Sequence, residues 1–370
     1  MMNVKDIVSR FEYIEGQRDN WNNHYQELAD YMLPRKADVV KKRSRGEKRM
    51  ELIFDGTALQ SVDLLSSSLH GMLTSGATPW FHLTMKDEEL GRNEEVQRWL
   101  EDSSQRMMRA FTMSNFETEV HEMYVDLVVF GTGCMFVEMD EKTLRFSTRH
   151  ISEFYVTEDQ YGIVDTVFRK YELPARQAVQ RFGIDNVGNF IARTFEKKPD
   201  ENVEILHVVM PRTDRDPTKQ DNKNMPFASL YICLETKMIL AESGFQELPY
   251  VVPRFLKATG EVMGRSPAMV ALPDVKMINL MSKTIIQAAQ KMIDPPLLVP
   301  DDGFLLPIRT QPGGLNFYRS GSRDTITPLQ TGANIPIGLN MEEQRRTAIR
   351  SAFFVDQLLS GSTPNMTATE

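Results

Sequence analysis

Cysteine is nearly missing from this chain: Cys134 and Cys233 are its two cysteines in 370 residues, and no CxxC pair occurs. That excludes a disulfide framework and a thiolate zinc site, and it fits assembly in a reducing compartment. No run approaches the roughly 18 apolar residues that a membrane-spanning helix needs. Asp6 and Glu12 lie where a secretory signal would be apolar. Catalytic signatures are missing too: there is no HExxH helix, no GxSxG elbow and no GxxxxGK(S/T) phosphate loop. His24, His70, His82, His121, His150 and His207 show no metal-ligand spacing, so they read as structural residues. Gly131-Thr-Gly133 is a fragment of a glycine-rich loop, but apolar Cys134-Met-Phe-Val137 follows where a phosphate-binding helix would start. It reads as a helix C-cap running into a strand. Positive charge is also short, 43 Lys and Arg against 51 Asp and Glu. A chain this acidic does not wrap nucleic acid generally, because phosphate binding needs concentrated cations.

With 41% hydrophobic and 25% charged residues, the chain reads as folded rather than disordered. Its length suggests two or three domains. Apolar residues recur at helical intervals over 3–33, and Pro34 ends that run. A basic stretch follows, with Arg35, Lys36, Lys41, Lys42, Arg43, Arg45, Lys48 and Arg49 against Asp38 and Glu47. It is either a solvated loop or a contact for DNA or an acidic partner. Helices are predicted over 57–74, from an Asn93 cap to about 113, and from an Asn115 cap to Gly131. Trp80-Phe-His-Leu83 reads as a strand, as do 136–139, 144–148, 163–171, 203–211 and 227–240. Pro174 to Phe182 is a short helix, and 212–226 is a polar loop. Short strands and Gly/Pro turns fill 297–337, and 341–359 is a final helix. The class is α+β, helical at both ends with β structure between.

The longest element begins at Ser266-Pro267, an N-cap serine with proline at the first helical position. Asp294-Pro-Pro296 ends it, because proline disfavours a helical residue before it and brings no donor. Pro273 lies inside, predicting either a kink or a short helix followed by the main one. From Pro273 to Ile293 the helix spans about 31 Å at about 1.5 Å per residue. Met277, Ile278, Met281, Ile285, Ala288, Ala289 and Met292 form a broad apolar face. Lys276, Lys283, Gln287 and Lys291 fall within roughly an 80° sector of another face, with Leu280 among them. Such a stripe is either a solvated face or placed charge.

Gly264-Arg-Ser-Pro-Ala-Met-Val-Ala-Leu-Pro-Asp-Val-Lys-Met-Ile-Asn279, followed by Asp294-Pro-Pro-Leu-Leu298, resembles the stem helix of the portal (head-to-tail connector) proteins of short-tailed, T7-like bacteriophages. Asp55-Gly-Thr-Ala58 through Pro79-Trp-Phe-His-Leu83 is similar to that family's N-terminal wing. Phe130-Gly-Thr-Gly-Cys-Met-Phe-Val-Glu138 resembles its helix-to-strand passage. Glu247-Leu-Pro-Tyr-Val-Val-Pro-Arg254 resembles the lead into the stem, and Gln344 to Leu359 the helix after it. The resemblance covers most of the chain and keeps these five pieces in order.

The resemblance implies a phage portal fold with a helical wing, a long stem helix and a β-rich clip. The wing would take 1–199, including strands within 133–171, although strands 143–171 could belong to the clip instead. The clip would take 200–262, the stem 263–300, a channel loop and β segment 301–337, and a further wing helix 338–370. It also implies a homo-dodecameric ring in the virion at a capsid vertex, assembled in the host cytoplasm. Double-stranded DNA would pass through it without sequence preference. Terminase, capsid and scaffold proteins and a tail adaptor would be its partners, with no cofactor, metal or membrane. Lacking the phosphate loop, the chain is not the packaging motor. Lys276, Lys283 and Lys291 are then channel candidates, stacking as positive rings on an otherwise acidic wall. Arg309, Arg319 and Arg323 are further candidates for phosphate contact or form a solvated turn cluster. The alternative is a metal-dependent nuclease-like enzyme using scattered carboxylates. Finally, Thr367-Ala-Thr-Glu370 fits a capping box, which opens a helix. It leads to the expectation that the native subunit continues helically past Glu370.

Overall fold

A computed structural model shows the fold and describes residues 3–42, 44, 46–139, 143–219, 221–298, 327–328 and 335–360. Two helices, α1 (Val4–Gln17) and α2 (Asp19–Met32), replace the single one expected over 3–33. Gly16 lies just before the junction residue Arg18, whose φ of −89° and ψ of −6° are nearly helical. Tertiary contacts hold the break. Arg18 is 5% exposed and donates to the backbone oxygens of Phe154 and Ile151, with its Cζ 4.6 Å over the Tyr155 ring.

Next come α3 (Thr57–Leu73), α4 (Glu88–Gly91), α5 (Glu94–Thr112) and α6 (Phe116–Phe130). Trp80–Leu83 is not a strand. Its rings instead enter an aromatic cluster, Trp80 stacking on Phe116 at 5.8 Å and Phe111 meeting Phe116 at 4.8 Å. Asn93 caps α5 as expected, accepting from the Glu95 amide at 2.9 Å. Asn115 does not cap α6. Its amide exchanges two hydrogen bonds with the Phe146 backbone, at 2.8 and 2.9 Å, and so ties the helix start to a strand. Gly131 ends α6 in the left-handed region, φ 77°.

The β region holds β1 (Met135–Met139), β2 (Leu144–Thr148), β3 (Phe154–Glu158), β4 (Val164–Pro174), α7 (Ala175–Phe182), α8 (Gly188–Lys197), β5 (Asn202–Pro211), β6 (Phe227–Cys233), β7 (Met238–Phe245) and β8 (Tyr250–Val251). Neither β3 nor α8 is expected from the sequence. The run 227–240 folds back as a hairpin at Lys237, whose φ of 53° no glycine announces. β3-β4-β5-β6-β7 form one antiparallel sheet, and β2-β1-β8 form a second. The sequence boundary at 199/200 therefore passes between neighbouring strands of one sheet. α1 covers one sheet face, burying Ile7, Val8 and Phe11 against Phe168, Leu206, Val208 and Leu230. Alternation along the strands puts Arg169, His207 and Tyr231 side by side on the other face.

His207 is 2% exposed, with Nδ1 2.8 Å from Tyr250 Oη and Nε2 2.9 Å from Ser229 Oγ. Burial holds its pKa well below the usual value, aided by Arg169, Arg181 and Arg149. The folded protein thus keeps it neutral, while the unfolded chain takes a proton near pH ~6.5. Its contribution to stability is complete above that pH and is lost as pH falls towards the folded pKa, by up to about 1.4 kcal/mol per pH unit. Denaturation of wild type should therefore show a steeper loss below pH ~6.5 than His207→Gln. Equal slopes would contradict this.

The C-terminal part is α9 (Pro267–Ile293), β9 (Leu297–Leu298), β10 (Thr327–Pro328), α10 (Ile335–Ala352) and α11 (Val355–Ser360). The helix expected at 341–359 starts earlier and breaks at Phe354, φ 59°. α2, α3, α6, α9 and α10 share the largest core, with Tyr25, Leu28, Val62, Val129, Val275 and Ile349 inside it.

Candidate DNA-channel surface

α9 begins as its sequence dictates. Ser266 Oγ accepts from the Met269 amide at 3.1 Å and donates to Val129 O at 2.8 Å. The helix runs unbroken through Pro273 and stops at Asp294. Two glycines let its start meet the end of α6. A β-carbon on Gly131 would lie 2.5 Å from Gly264 O, and the Gly264 amide donates to Thr132 Oγ1 at 2.8 Å. These are two of the sequence pieces that carry the family resemblance, and here they form one joint.

The buried stripe of α9 is Ala268, Ala271, Leu272, Val275, Ile278, Asn279 and Ser282. This corrects the apolar face read from the sequence: Ile278 is buried, but Met277 is 46% and Met292 54% exposed. Apolar residues surround much of this helix, so periodicity could not choose the sector that α2, α3, α6 and α10 cover. Asn279 Oδ1 accepts from the Phe54 and Asp55 amides at 2.6 and 3.0 Å. Asp55 in turn meets Arg346 at 3.0 Å, and Ser282 donates to Glu342 at 2.6 Å. Asp274 pairs with Arg345 at 2.8 Å, so α9 and α10 run antiparallel as a hairpin. From Lys283 onwards no described side chain of α9 is fully buried.

The three candidate lysines sit differently. Lys276 pairs with Glu27 of α2 at 2.9 Å and is neutralised there. Lys283 is exposed, its Nζ 5.6 Å from the centroid of the Phe54 ring. Lys291 is exposed in the last turn, where a cation suits the helix dipole. Neither Lys283 nor Lys291 has an ion-pair partner among the described residues. Successive lysines are about 10 and 12 Å apart along the axis, at about 1.5 Å per residue. Such spaced charges attract a phosphate backbone without reading bases. Arg309, Arg319 and Arg323, most of the 301–337 segment and the Thr367–Glu370 box lie outside the described residues.

The basic stretch after Pro34 is divided: Lys36 is drawn into internal ion pairs, while Lys41, Lys42 and Lys48 stay exposed on irregular chain, as a solvated loop would have them. Lys36 is clasped by Asp126 at 2.7 Å and Glu122 at 2.9 Å, and Arg35 reaches Glu122 at 3.1 Å. Burial opposes the Lys36 charge, but Asp126 and Glu122 outweigh it and hold its pKa above the ordinary value. Lys42 pairs with Glu172, and Arg49 with Asp38 at 2.5 Å. Of these, Lys36 is the most enclosed, its side chain 17% exposed, while Lys42 pairs at the surface. Arg43 and Arg45 lie outside the described residues.

Comparison with known proteins shows the family. The family model described as bacteriophage head to tail connecting protein matches residues 4–370. The "Probable portal protein" of Bordetella phage BPP-1 is 32% identical over 377 aligned positions, spanning 99% of this chain and 68% of that protein. The "Portal protein" of Salmonella phage epsilon15 is 31% identical over 359 positions, spanning 95% of this chain and 64% of that protein. The chain thus corresponds to about two thirds of the length of each relative. The nuclease-like alternative finds no support in either comparison. With the α6–α9 joint built from the very segments that carry the resemblance, and with nearly every residue matched, this chain belongs to the bacteriophage head to tail connecting protein family.

Proposed function

We propose that the protein is a portal subunit: a structural, non-enzymatic element of the virion that closes into a ring at a capsid vertex. The viral genome would be packaged and ejected through that ring. Besides the family match, the carrying observation is the α9–α10 hairpin. Leu280, Met292, Ile293, Ile337 and Leu339 are 66%, 54%, 85%, 58% and 50% exposed along it. Apolar helix surface of this extent is costly in water and fits burial between neighbouring copies. Head-to-tail interfaces that close by rotation give a ring, and the resemblance implies twelve subunits. Terminase would dock on it during packaging, a tail adaptor afterwards, and capsid and scaffold proteins would surround it. Each stem would contribute α9. The sheet β3 to β7 would act as one body, so strands on both sides of residue 200 belong to the same part of the subunit, clip or wing. Mass measurement and negative-stain microscopy of the purified chain test this. Rings many times the monomer mass are expected, and a homogeneous monomer at high concentration would refute it.

The lysines are the proposed DNA contacts of that channel. Replacing Lys283 and Lys291 with Gln should leave the ring intact and weaken duplex binding. The dependence of log K on log salt should become shallower, by about 0.9 for each phosphate no longer neutralised. Lys276→Gln should do less, because Glu27 already neutralises that charge. An unchanged salt slope in the double variant would remove the lysines from the channel.

A further inference from the structure

The sheet face turned away from α1 opens, beside β1 and β2, into a groove of 920 Å³ that includes Arg149, Arg169, Tyr171 and Arg181 in its lining. Other cations there are already satisfied: Lys42 by Glu172, and Lys170 by Glu15 at 3.1 Å. Arg169 pairs with Glu153 at 2.9 Å. Arg149 and Arg181 have no carboxylate within ion-pair distance among the described residues. Aromatic rings hold them instead. Arg149 Cζ lies 5.5 Å from the Phe136 ring centre, and Arg181 Cζ 4.8 Å from that of Tyr231, whose hydroxyl accepts from Arg181 at 2.8 Å. Arg169 Cζ is 4.0 Å from the Tyr171 ring centre.

Two polar atoms of this cluster are orphaned. Arg149 Nε and Tyr171 Oη are buried with no hydrogen-bond partner. Each open donor costs about 1–3 kcal/mol if nothing accepts from it, so each calls for an acceptor. Burial raises the Tyr171 pKa and the Glu153 charge adds to it, while Arg181, Arg169 and Arg149 pull the other way. Across the whole lining, Lys42, Arg145, Arg149, Arg169, Lys170 and Arg181 face Glu15, Asp38, Glu138, Glu153, Glu172 and Glu204, so the groove carries no net excess and the unmatched positive charge is local to Arg149 and Arg181. A component that answers those two accepts hydrogen bonds and is negative. Glu138, Glu172 and Glu204 also line the groove, and a long acidic segment laid along it would meet their repulsion.

We propose that this pocket binds a compact phosphate-type oxyanion, with Arg149, Arg181 and the Tyr171 hydroxyl as donors and Arg169 supplying further charge. Arginine suits the task, since its planar fork matches phosphate oxygens. Free phosphate and a backbone phosphate of DNA present the same chemistry. Calorimetric titration of the full chain with inorganic phosphate, at constant ionic strength and near-neutral pH, tests the site. Saturable binding of one phosphate per subunit is expected. Arg149→Gln or Arg181→Gln should weaken it about tenfold or more, and Tyr171→Phe several-fold. Thermal unfolding of the wild type needs no variant: phosphate should raise the midpoint above that in chloride of equal ionic strength. A short duplex added as competitor separates the sources. Displacement of phosphate by the duplex points to the DNA backbone, and phosphate binding that persists points to the free ion. Failure of the wild type to bind phosphate, or binding untouched by both arginine substitutions, would overturn the proposal. Neither result bears on whether the chain forms rings.

Discussion

Arg18→Ala should be among the most destabilising single substitutions in this protein, lowering the unfolding free energy by about 4 kcal/mol. Removing the guanidinium leaves the Phe154 and Ile151 carbonyl oxygens without their donor in the core, at about 1–3 kcal/mol each. The packing of Arg18 over Tyr155 disappears too, a desolvated cation–π interaction of about 2 kcal/mol. Against a typical total stability of about 5–15 kcal/mol, that is a large share. Arg18→Lys should recover only part, since one ammonium does not reproduce a fork that spans two carbonyls. The urea midpoint of each variant reads the effect. A loss below about 1 kcal/mol for Arg18→Ala would show that water replaces the side chain without penalty.

The second large effect is expected at the joint between α6 and α9. Gly264→Ala would drive a β-carbon against the Gly131 carbonyl, and Gly131→Ala would do the same against Gly264. Neither neighbour is a side-chain tip that can swing away, so the backbones must part. Overpacking of this kind costs about 1–3 kcal/mol and sometimes more. At Gly131 the positive φ adds about 1–2 kcal/mol for any residue with a β-carbon. Gly131→Ala should therefore be the worse of the two, at about 2–5 kcal/mol. Because the joint sets where α9 leaves the core, both variants should also impair ring assembly under conditions where the subunit is still folded. Gly71→Ala is the control: a β-carbon there meets nothing within 4 Å, and it should be neutral or slightly stabilising. Equal midpoints for all three variants would mean that the joint relaxes freely.

Much of the helical framework is legible in the amino-acid sequence. Ser266-Pro267, Asp294-Pro295 and the Gly131 cap each act on their own backbone neighbours, and each marks the boundary expected of it. The α+β class follows from the same local signals. The misreadings share a physical cause. Trp80–Leu83 has strand composition, yet a strand exists only when a partner offers its ladder, and none does among the described residues. Glu235-Thr-Lys237 turns a hairpin because β6 and β7 pair on either side of it, without the glycine that would announce the turn. The break at Arg18, next to the helix-weakening Gly16, is held by two carbonyls more than 130 residues away in sequence.

The candidate surface divides in the same way. That three lysines recur along one sector of a long, capped helix, and that no carboxylate within the helix shares their sector, is written in the chain itself. That Glu27 takes Lys276, that Lys283 and Lys291 stay exposed, and that Lys36 of the denser basic run after Pro34 is drawn into internal ion pairs emerges on folding. Caps, prolines and periodicity are encoded within a few residues of where they act. Whether a charge is free depends on which distant carboxylate the folded chain brings within a few ångströms, and that distance does not exist until the fold does.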